Sequence, residues 1–301
     1  MSPERVETEV DGRRLSLSNL EKVLYPDVGF TKGQVLDYYA RVADVMLPHI
    51  ADRPITFKRY PDGVDDQSFF EKHAPSHIPE WVRTVDVPSK SDARRAIRFA
   101  VICDRPTLIW AANLASLEFH VPLWRVGNGK EIPASPDHMV FDLDPGPGTS
   151  IVECCKVARW ITGELGDEKV FAKTSGSKGL QLYTPLPKMT SDQTSDRAHE
   201  FAKTIERAHP EAVVSLMRKE LRKNKVLIDW SQNSPSKTTV AAYSLRARSE
   251  PTVSTPVTWK EVDACAKSGD PNKLRFTAAD VLRRVDKLGD LMAGLMSAAP
   301  K

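Results

Sequence analysis

The stretch HMVFDLDPGPGTS, residues 138–150, decides how the rest of the chain is interpreted. Successive side chains of a β-strand point to opposite faces, so Val140, Asp142 and Asp144 share one face while Phe141 and Leu143 take the other. The following Pro-Gly-Pro-Gly ends the strand and leaves its last aspartate near an open edge. The pattern predicts an apolar strand that carries two carboxylates on one face.

Two carboxylates on the same face of a strand suggest a bound cation. Strand geometry puts the Cα atoms of Asp142 and Asp144 roughly 7 Å apart. Like charges in a partly buried site raise each other's pKa unless a cation lies between them. Oxygen ligands suit Mg²⁺ or Mn²⁺, which substrate phosphates and waters typically complete, so the pair predicts phosphoryl or nucleotidyl transfer. The alternative is that both aspartates are surface or turn residues, because Asp-Pro-Gly is a common turn signal.

Two other kinds of protein carry an Asp-x-Asp motif. An EF-hand loop beginning at Asp142 needs an oxygen ligand at its fifth position and glycine at its sixth, where this chain has Gly146 and Pro147. A haloacid-dehalogenase-like phosphatase needs Thr or Val at the position of Gly146 and a later acidic pair of the GDxxxD kind, which is not found. The EF-hand is excluded, and the phosphatase remains a weaker enzymatic alternative.

Other segments carry side chains that suit the same chemistry. The apolar run VLIDWSQN contains Asp229, a third carboxylate that would complete a two-metal site with ions roughly 4 Å apart. Taken alone, Asp229 is more often a turn residue at a strand end. The turn SGSKG, residues 175–179, offers backbone N–H groups, a hydroxyl and an ammonium group to a triphosphate. It is not a Walker A motif, because a strand follows it, and a flexible hairpin turn remains the alternative.

Two aromatic residues and one histidine are further candidates. Of Phe69 and Phe70, we expect one to face the core and the other to stack on a base, with core packing of both as the alternative. His120 in SLEFHVPLW is by default a core histidine. A cluster of basic residues suits a phosphate-rich partner or a solvated helix face; it comprises Lys203, Arg207, Arg218, Lys219, Arg222, Lys223 and Lys225.

The composition is that of a globular protein. The chain has 301 residues and a formal net charge of +3. Its charged start lacks an apolar run of signal-peptide length, and no later stretch is long enough to span a membrane, so we expect a cytoplasmic protein. The four cysteines form no CxxC pair, which predicts reduced thiols and no structural zinc.

Periodicity and capping patterns predict an α/β (α+β) fold with mixed or antiparallel sheets flanked by helices. Thr31 and Ser150 each begin a capping box that opens a helix. We expect helices at about 31–50, 106–119, 150–160 (ended by Gly166), 195–208 and 277–296, a short basic helix before the strand KVLIDW, strands on both sides of SGSKG, and short β-prone runs within 234–273. We expect a single domain over residues 1–301, with an N-terminal part of about 1–130 packed on a catalytic part of about 131–301.

Six segments in order resemble the archaeo-eukaryotic primase superfamily, specifically the polymerase domain of bacterial ligase D and its standalone relatives in non-homologous end joining. They are LSNLEKVLYPDVGFTKG, SFFEK, LEFHVPLWR, VFDLDPG, TSGSKGLQLYTPL and VLIDWSQNSPSKTTVAAYSLRAR. The resemblance implies a primase-polymerase catalytic core. It implies a template-directed nucleotidyltransferase that prefers ribonucleotides and extends primer ends, fills short gaps and in some members primes.

The resemblance also implies roles for individual residues. Asp142, Asp144 and Asp229 are implied to bind two metal ions, typically Mn²⁺, with Mg²⁺ as the alternative. The residues implied to surround the incoming NTP are His120, Ser175, Lys178, Gln232, Lys237 and Arg246. On the DNA side, the implied residues are Asn19, Lys22 and Lys32 at the downstream 5′-phosphate, Phe69 and Phe70 at the template base, and Arg222 near the primer.

One departure from the family concerns Gln181, since many relatives have histidine after SGSKGL. The amide of Gln181 can donate to a phosphate oxygen but carries no charge, which predicts altered NTP binding. A DNA-end-bridging module with weak or lost polymerase activity is therefore the non-enzymatic alternative. The expected partners are gapped or broken DNA with a 5′-phosphate, NTPs, a Ku-like end-binding protein and a separate DNA ligase, because the ligase and nuclease modules are absent from this sequence.

Overall fold

A computed structural model describes residues 5–89, 95–127 and 132–297. Within these residues the α-helices are α1 Lys32–Ile50, α2 Arg105–Asn113, α3 Ile151–Leu165, α4 Ser191–Ala208, α5 Trp259–Ser268, α6 Ala278–Leu288 and α7 Ala293–Ser297. The strands are β1 Arg5–Val10, β2 Arg13–Ser18, β3 Val23–Tyr25, β4 Phe30–Thr31, β5 Thr56–Arg59, β6 Phe69–Glu71, β7 Thr84–Pro88, β8 Ala96–Ala100, β9 Ser116–Val121, β10 His138–Pro145, β11 Phe171–Thr174, β12 Leu180–Pro185, β13 Val213–Val214, β14 Val226–Asp229, β15 Thr239–Val240, β16 Leu245–Ala247, β17 Pro251–Val253 and β18 Pro256–Val257.

Two sheets form the centre of the fold. The larger sheet has six strands in the order β13-β14-β10-β12-β11-β18, and only its β13–β14 pair is parallel. The smaller sheet has four antiparallel strands in the order β15-β9-β5-β6. The remaining strands pair as hairpins β1–β2, β3–β4, β7–β8 and β16–β17. The predicted α/β class with mixed and antiparallel sheets is confirmed.

The larger sheet separates two hydrophobic cores. Phe141 and Leu143 are fully buried in a core that includes residues of α3, α4 and α5. Val140 belongs to the other core, which includes residues of α1, α2 and the four-stranded sheet. The predicted alternation along β10 is therefore confirmed. Because Asp142 and Asp144 follow Val140 at strand spacing, they lie on the face of β10 that is turned towards the four-stranded sheet.

Several local predictions are also confirmed. Helix α1 begins after Thr31, whose hydroxyl accepts from the backbone N–H of Gln34 in a capping box. Helix α3 begins after Ser150 in the same way and ends before Gly166. Strands β11 and β12 flank the SGSKG turn and pair antiparallel.

The helix predicted over residues 106–119 ends early. Helix α2 stops at Asn113, and Ala115 adopts a positive φ of 58° that a continuing helix does not allow. The chain then runs as strand β9 from Ser116, paired with β5. Tertiary pairing of an alternating segment overrides the helical pattern that precedes it.

Four other predicted elements differ from the structure. Helix α4 begins at Ser191 instead of Ser195, because Thr190 supplies its capping box. Helix α5 lies inside the stretch 234–273 that was expected to hold only β-prone runs, and Thr258 caps it. The last predicted helix is interrupted after Leu288, where Gly289 has a φ of +64°, and resumes as α7. The short basic helix is a 3₁₀ turn over Lys219–Arg222.

Among the described residues, no helix combines the length and the apolar character needed to cross a membrane.

Candidate active site

Four polar residues form a row across the larger sheet. In register, Asp229 of β14 pairs with Asp142 of β10, Asp142 pairs with Gln181 of β12, and Gln181 pairs with Lys173 of β11. Cross-strand partners project from the same face of a sheet. The row therefore presents two carboxylates, one amide and one ammonium group side by side, with Asp144 two residues further along β10.

The carboxylates of Asp142 and Asp144 are crowded by like charge. Burial raises the pKa of Asp142, and the charges of Asp144 and Asp229 raise it further against a hydrogen bond from Gln181. Burial and Asp229 raise the pKa of Asp144, while the cations Arg222 and Arg246 oppose that rise. The local field therefore favours an additional positive charge at this pair.

Two glycines allow loops to approach the end of β10 closely. A Cβ on Gly146 would lie 1.8 Å from the carbonyl oxygen of Arg222, so only glycine admits the basic 3₁₀ turn at this position. A Cβ on Gly179 would lie 2.4 Å from the carbonyl oxygen of Leu143, so glycine also lets the SGSKG turn pack against the strand. The basic 3₁₀ turn and the SGSKG turn thus border Asp144. The open edge predicted at the end of β10 is therefore a cleft between these two loops.

The third carboxylate has local partners. Asp229 is nearly buried, and its Oδ1 accepts from the backbone N–H of Ser231 at 3.0 Å. Its Oδ2 accepts from Gln232 Nε2 at 2.9 Å, and Oε1 of Gln232 is buried without a partner. Asp229 therefore lies opposite Asp142, but its oxygens cap the 3₁₀ helix Trp230–Asn233, as the turn interpretation of this residue predicts.

The donor set at this site suits a hard divalent ion. In the described part of the chain, no three His, Cys, Asp or Glu side chains converge closely enough to hold a metal ion as they stand. Asp142 and Asp144 both line the cavity next to the SGSKG turn. Two carboxylates completed by phosphate oxygens and waters are a ligand set that Mg²⁺ takes in proteins, so these residues fit the expected ion.

Gln181 is oriented differently from the expectation. It is 3% exposed, and its Oε1 accepts hydrogen bonds from Lys173 Nζ and from the Tyr183 hydroxyl. Lys173 is itself buried and also donates to Ser254 Oγ at 2.7 Å. The amide nitrogen is thereby left to face Asp142, whose pKa the contact lowers. Gln181 thus contacts Asp142 and Lys173, in addition to bordering the cavity where the phosphate contact was expected.

A cavity of about 400 Å³ collects most of the residues predicted to contact a nucleotide. Its lining includes the predicted residues His120, Asp142, Asp144, Ser175, Lys178, Gln181, Arg222 and Arg246. Lys178 is exposed, and Arg246 donates to the carbonyl oxygen of Ser175. Gln232 and Lys237 are not part of this lining; Lys237 is exposed just before the lining residue Thr238.

Sequence reasoning missed Glu118, which joins two of the predicted residues. Its carboxylate is 2% exposed, and Oε2 lies 2.9 Å from His120 Nε2 and 3.3 Å from Arg246 Nε. Oε1 accepts from the backbone N–H of Ala247 at 3.1 Å. Burial would raise the pKa of Glu118, but His120, Arg246 and Lys58 together lower it to about 2. The carboxylate therefore stays ionised and holds both side chains at the cavity.

The predicted template aromatics lie on an edge strand. Phe69 and Phe70 are 43% and 59% exposed, so the expectation that one of them faces the core is wrong. Strand β6 is at the edge of the four-stranded sheet. The guanidinium of Arg59 lies 5.3 Å from the Phe69 ring, and His120 meets the Phe70 ring edge-on at 5.5 Å. Both rings are thus exposed beside the cavity that His120 lines, which for the proposal below is called the nucleotide cavity.

The three residues predicted at the 5′-phosphate lie close together. The backbone N–H of Lys22 donates to the carbonyl oxygen of Asn19 at 3.0 Å, and the backbone N–H of Lys32 donates to the carbonyl oxygen of Lys22 at 2.8 Å. Burial, Lys22 and Arg59 lower the pKa of Lys32 to about 8. Lys22 also forms an exposed ion pair with Asp62 at 2.6 Å. This cluster of cations is thus partly neutralised by one carboxylate.

Comparisons with known proteins agree on one family. The family model for the LigD primase-polymerase domain matches residues 31–292. The multifunctional non-homologous end joining protein LigD of Mycolicibacterium smegmatis is 43% identical over 290 residues, which are 95% of this chain and 37% of that protein. The corresponding DNA repair protein LigD of Mycobacterium tuberculosis is 44% identical over 295 residues, 96% of this chain and 38% of that protein. The chain thus spans well under half the length of these curated relatives.

A solved structure of a LigD polymerase domain has a similar fold. The polymerase domain of Mycobacterium tuberculosis ligase D in complex with DNA is similar with a TM-score of 0.87 and 44% identity. The match covers 95% of this chain and 99% of that one. The predicted resemblance is therefore confirmed. The chain belongs to the LigD primase-polymerase domain family, a family of DNA-directed nucleotidyltransferases.

Proposed function

We propose that this chain adds nucleotides, preferably ribonucleotides, to primer ends and short gaps in DNA by two-metal catalysis. The observation that carries the proposal is the pair Asp142 and Asp144, set at the end of β10 with raised pKa values and facing a cavity bordered by the SGSKG turn. The relatives' role in non-homologous end joining supports DNA repair as the setting.

In the proposed reaction the primer 3′-oxygen attacks the α-phosphorus of an NTP. The bond to the bridging oxygen breaks, pyrophosphate leaves with the electron pair, and the hydroxyl proton passes to solvent. Divalent ions, Mn²⁺ or Mg²⁺, held by Asp142 and Asp144 with Asp229 across the strand, would supply positive charge against the charge that develops on the phosphate. Lys178 and Arg246 add fixed cations at the same cavity.

We assign the DNA contacts to the other side of the cavity. Asn19, Lys22 and Lys32 would bind a downstream 5′-phosphate, since the burial and the neighbouring cations that lower the pKa of Lys32 favour an anion beside it. Phe69 and Phe70 would stack on the template, and Arg222 would contact the primer. We further propose that residues 1–301 act as one catalytic unit in the bacterial cytoplasm, together with a Ku-like end-binding protein and a DNA ligase.

The test is extension of a labelled primer on a gapped duplex that bears a 5′-phosphate, with Mn²⁺ and either rNTPs or dNTPs. Wild-type protein should extend the primer according to the template and use rNTPs better, and Asp144→Ala should not extend it. Asp167→Ala is the matched control, because Asp167 is an exposed turn residue. Extension that survives in Asp144→Ala would overturn the proposal.

A second candidate function, DNA-end bridging with little polymerisation, is favoured by the contacts of Asp229. Its oxygens are bound by Ser231 and Gln232, so the third carboxylate is engaged inside its own turn. The same experiment separates the two functions. Binding that is tight and dependent on the 5′-phosphate, without extension under any metal, would favour the bridging module.

A further inference from the structure

A second cavity, of about 250 Å³, adjoins the nucleotide cavity. Three segments line it: residues 176–178 of the SGSKG turn, residues 248, 249 and 252 of the β16–β17 hairpin, and residues 274–276 before α6. Ser177, Lys178 and Arg248 line both cavities. We call this second cavity the exit pocket. Its position beyond the turn makes it a continuation of the nucleotide cavity.

The charged side chains that line the exit pocket are all cations. Lys178, Arg248 and Arg275 contribute to the lining, and no carboxylate does. Arg275 pairs with Glu250 outside the pocket at 2.9 Å. Across the described residues, neither Lys178 nor Arg248 has a carboxylate partner. A concave site with the unpaired ammonium group of Lys178 and the unpaired guanidinium group of Arg248 favours phosphate anions, which a guanidinium binds through two parallel hydrogen bonds.

The walls of the exit pocket are fixed to one another. Thr252 Oγ1 donates to the carbonyl oxygen of Gly176 at 2.6 Å. The backbone N–H of Val253 donates to the carbonyl oxygen of Phe276 at 3.0 Å. Gly176 has a φ of +68°, and a Cβ on it would lie 2.6 Å from the carbonyl carbon of Val253. The three segments thus hold a preformed site, which lowers the entropic cost of binding a small ligand.

We propose that the exit pocket binds the pyrophosphate released when a nucleotide is added to the primer. This inference rests on the proposed function, since the ligand is the leaving group of that reaction. Pyrophosphate forms beside Lys178, and Lys178 and Arg248 then offer contacts on both sides of the turn. A small concave site with one apolar wall, Leu274 and Phe276, suits a compact anion better than the extended backbone of DNA.

Two variants of the full chain test the assignment in opposite directions. Arg275→Ala should weaken the binding of inorganic pyrophosphate, measured by calorimetry without DNA, by about fivefold, the size of one exposed charged contact. Glu250→Gln frees Arg275 from its partner and should tighten that binding. Arg275→Lys should keep part of the affinity. Lys273→Ala is the matched control, because Lys273 is exposed in the same segment and does not line the pocket.

Pyrophosphate should inhibit primer extension most strongly in Glu250→Gln, less strongly in wild type and least in Arg275→Ala. The KM for NTP in Arg275→Ala should stay within about twofold of wild type. Equal loss of NTP and pyrophosphate binding in Arg275→Ala would overturn the assignment, as would unchanged pyrophosphate binding in Arg275→Ala and Glu250→Gln. Lower DNA affinity in place of lower pyrophosphate affinity would assign the cations to DNA. Wild-type protein that binds pyrophosphate but extends no primer would refute the proposed function alone.

Discussion

Burial raises the pKa of two carboxylates in this protein, but the charges around them leave the two with opposite net pKa shifts. Glu118 of β9 has a pKa lowered to about 2, because His120, Arg246 and Lys58 outweigh the effect of burial. Asp142 of β10 has a raised pKa, because Asp144 and Asp229 add to the effect of burial.

The difference lies in what each carboxylate faces. The charge of Glu118 is neutralised by the chain itself, through contacts at 2.9 and 3.3 Å. The carboxylate of Asp142 has no ion-pair partner within hydrogen-bond reach among the described residues; the nearby ammonium of Lys173 donates to Gln181 and Ser254. Glu118 is a structural ion that holds His120 and Arg246 at the cavity, whereas under the proposed function Asp142 would be a ligand of an external cation.

The largest expected effect is on catalysis. Asp142→Asn should lower primer extension by about a thousandfold, because the lost ion supplies several kcal/mol of charge stabilisation. The melting temperature should stay the same or rise, since the change removes a carboxylate crowded by like charge. Primer extension and thermal melting check the two parts. A lower melting temperature would mean that the carboxylate is stabilising, as Glu118 is.

The matching change at Glu118 should act mainly on stability. Glu118→Gln leaves Arg246 and His120 without their shared anion and should destabilise the fold by about 3 kcal/mol. The remaining activity should show a raised KM for NTP, because both side chains line the nucleotide cavity. Urea denaturation and steady-state kinetics measure these effects. Wild-type stability with a normal KM would remove Glu118 from its positioning role.

The pH dependence sharpens the same contrast. The pKa of Glu118 is lowered from 4.5 to about 2 in the folded chain. A lowered pKa contributes stability that is present above pH 4.5 and is lost as the pH falls towards 2. The free energy of unfolding of the wild-type protein should therefore fall more steeply over this range than that of Glu118→Gln. Parallel curves for the two proteins would contradict the assigned pKa.

The smallest expected effect concerns a cation that already has a partner. Lys22 pairs with Asp62 at the surface, so Lys22→Ala should reduce the preference for a 5′-phosphorylated gap by only about fivefold, after allowance for solvent screening. Asp62→Ala frees Lys22 and should increase that preference. Binding to gaps with and without the phosphate provides the measurement. An equal preference in all three proteins would count against this pocket.

The sequence predicted the carboxylate strand well because alternation and capping are local properties. The two faces of β10 and the capping boxes at Thr31 and Ser150 follow from short patterns, and all are confirmed. The role of Glu118 depends on the packing of β9 against the β16 hairpin, which no local pattern encodes. The orientation of the Gln181 side chain likewise depends on its hydrogen bond from Lys173 of the neighbouring strand.

Helix α5 shows the limit of composition as a guide. It lies in a stretch rich in serine, threonine and proline, and its capping box at Thr258 and Glu261 was the signal that could have found it. The residues of the exit pocket come from three distant segments and could be recognised only in the fold.

Direct titration with Mn²⁺, followed by electron paramagnetic resonance, tests the central claim most directly. The claim is that the carboxylates of β10 require an external cation and that the carboxylate of Glu118 does not. Wild type and Glu118→Gln should bind Mn²⁺, while Asp142→Asn and Asp144→Asn should lose most of that binding. Equal Mn²⁺ binding by Asp142→Asn and wild type, or its loss only in Glu118→Gln, would contradict the account.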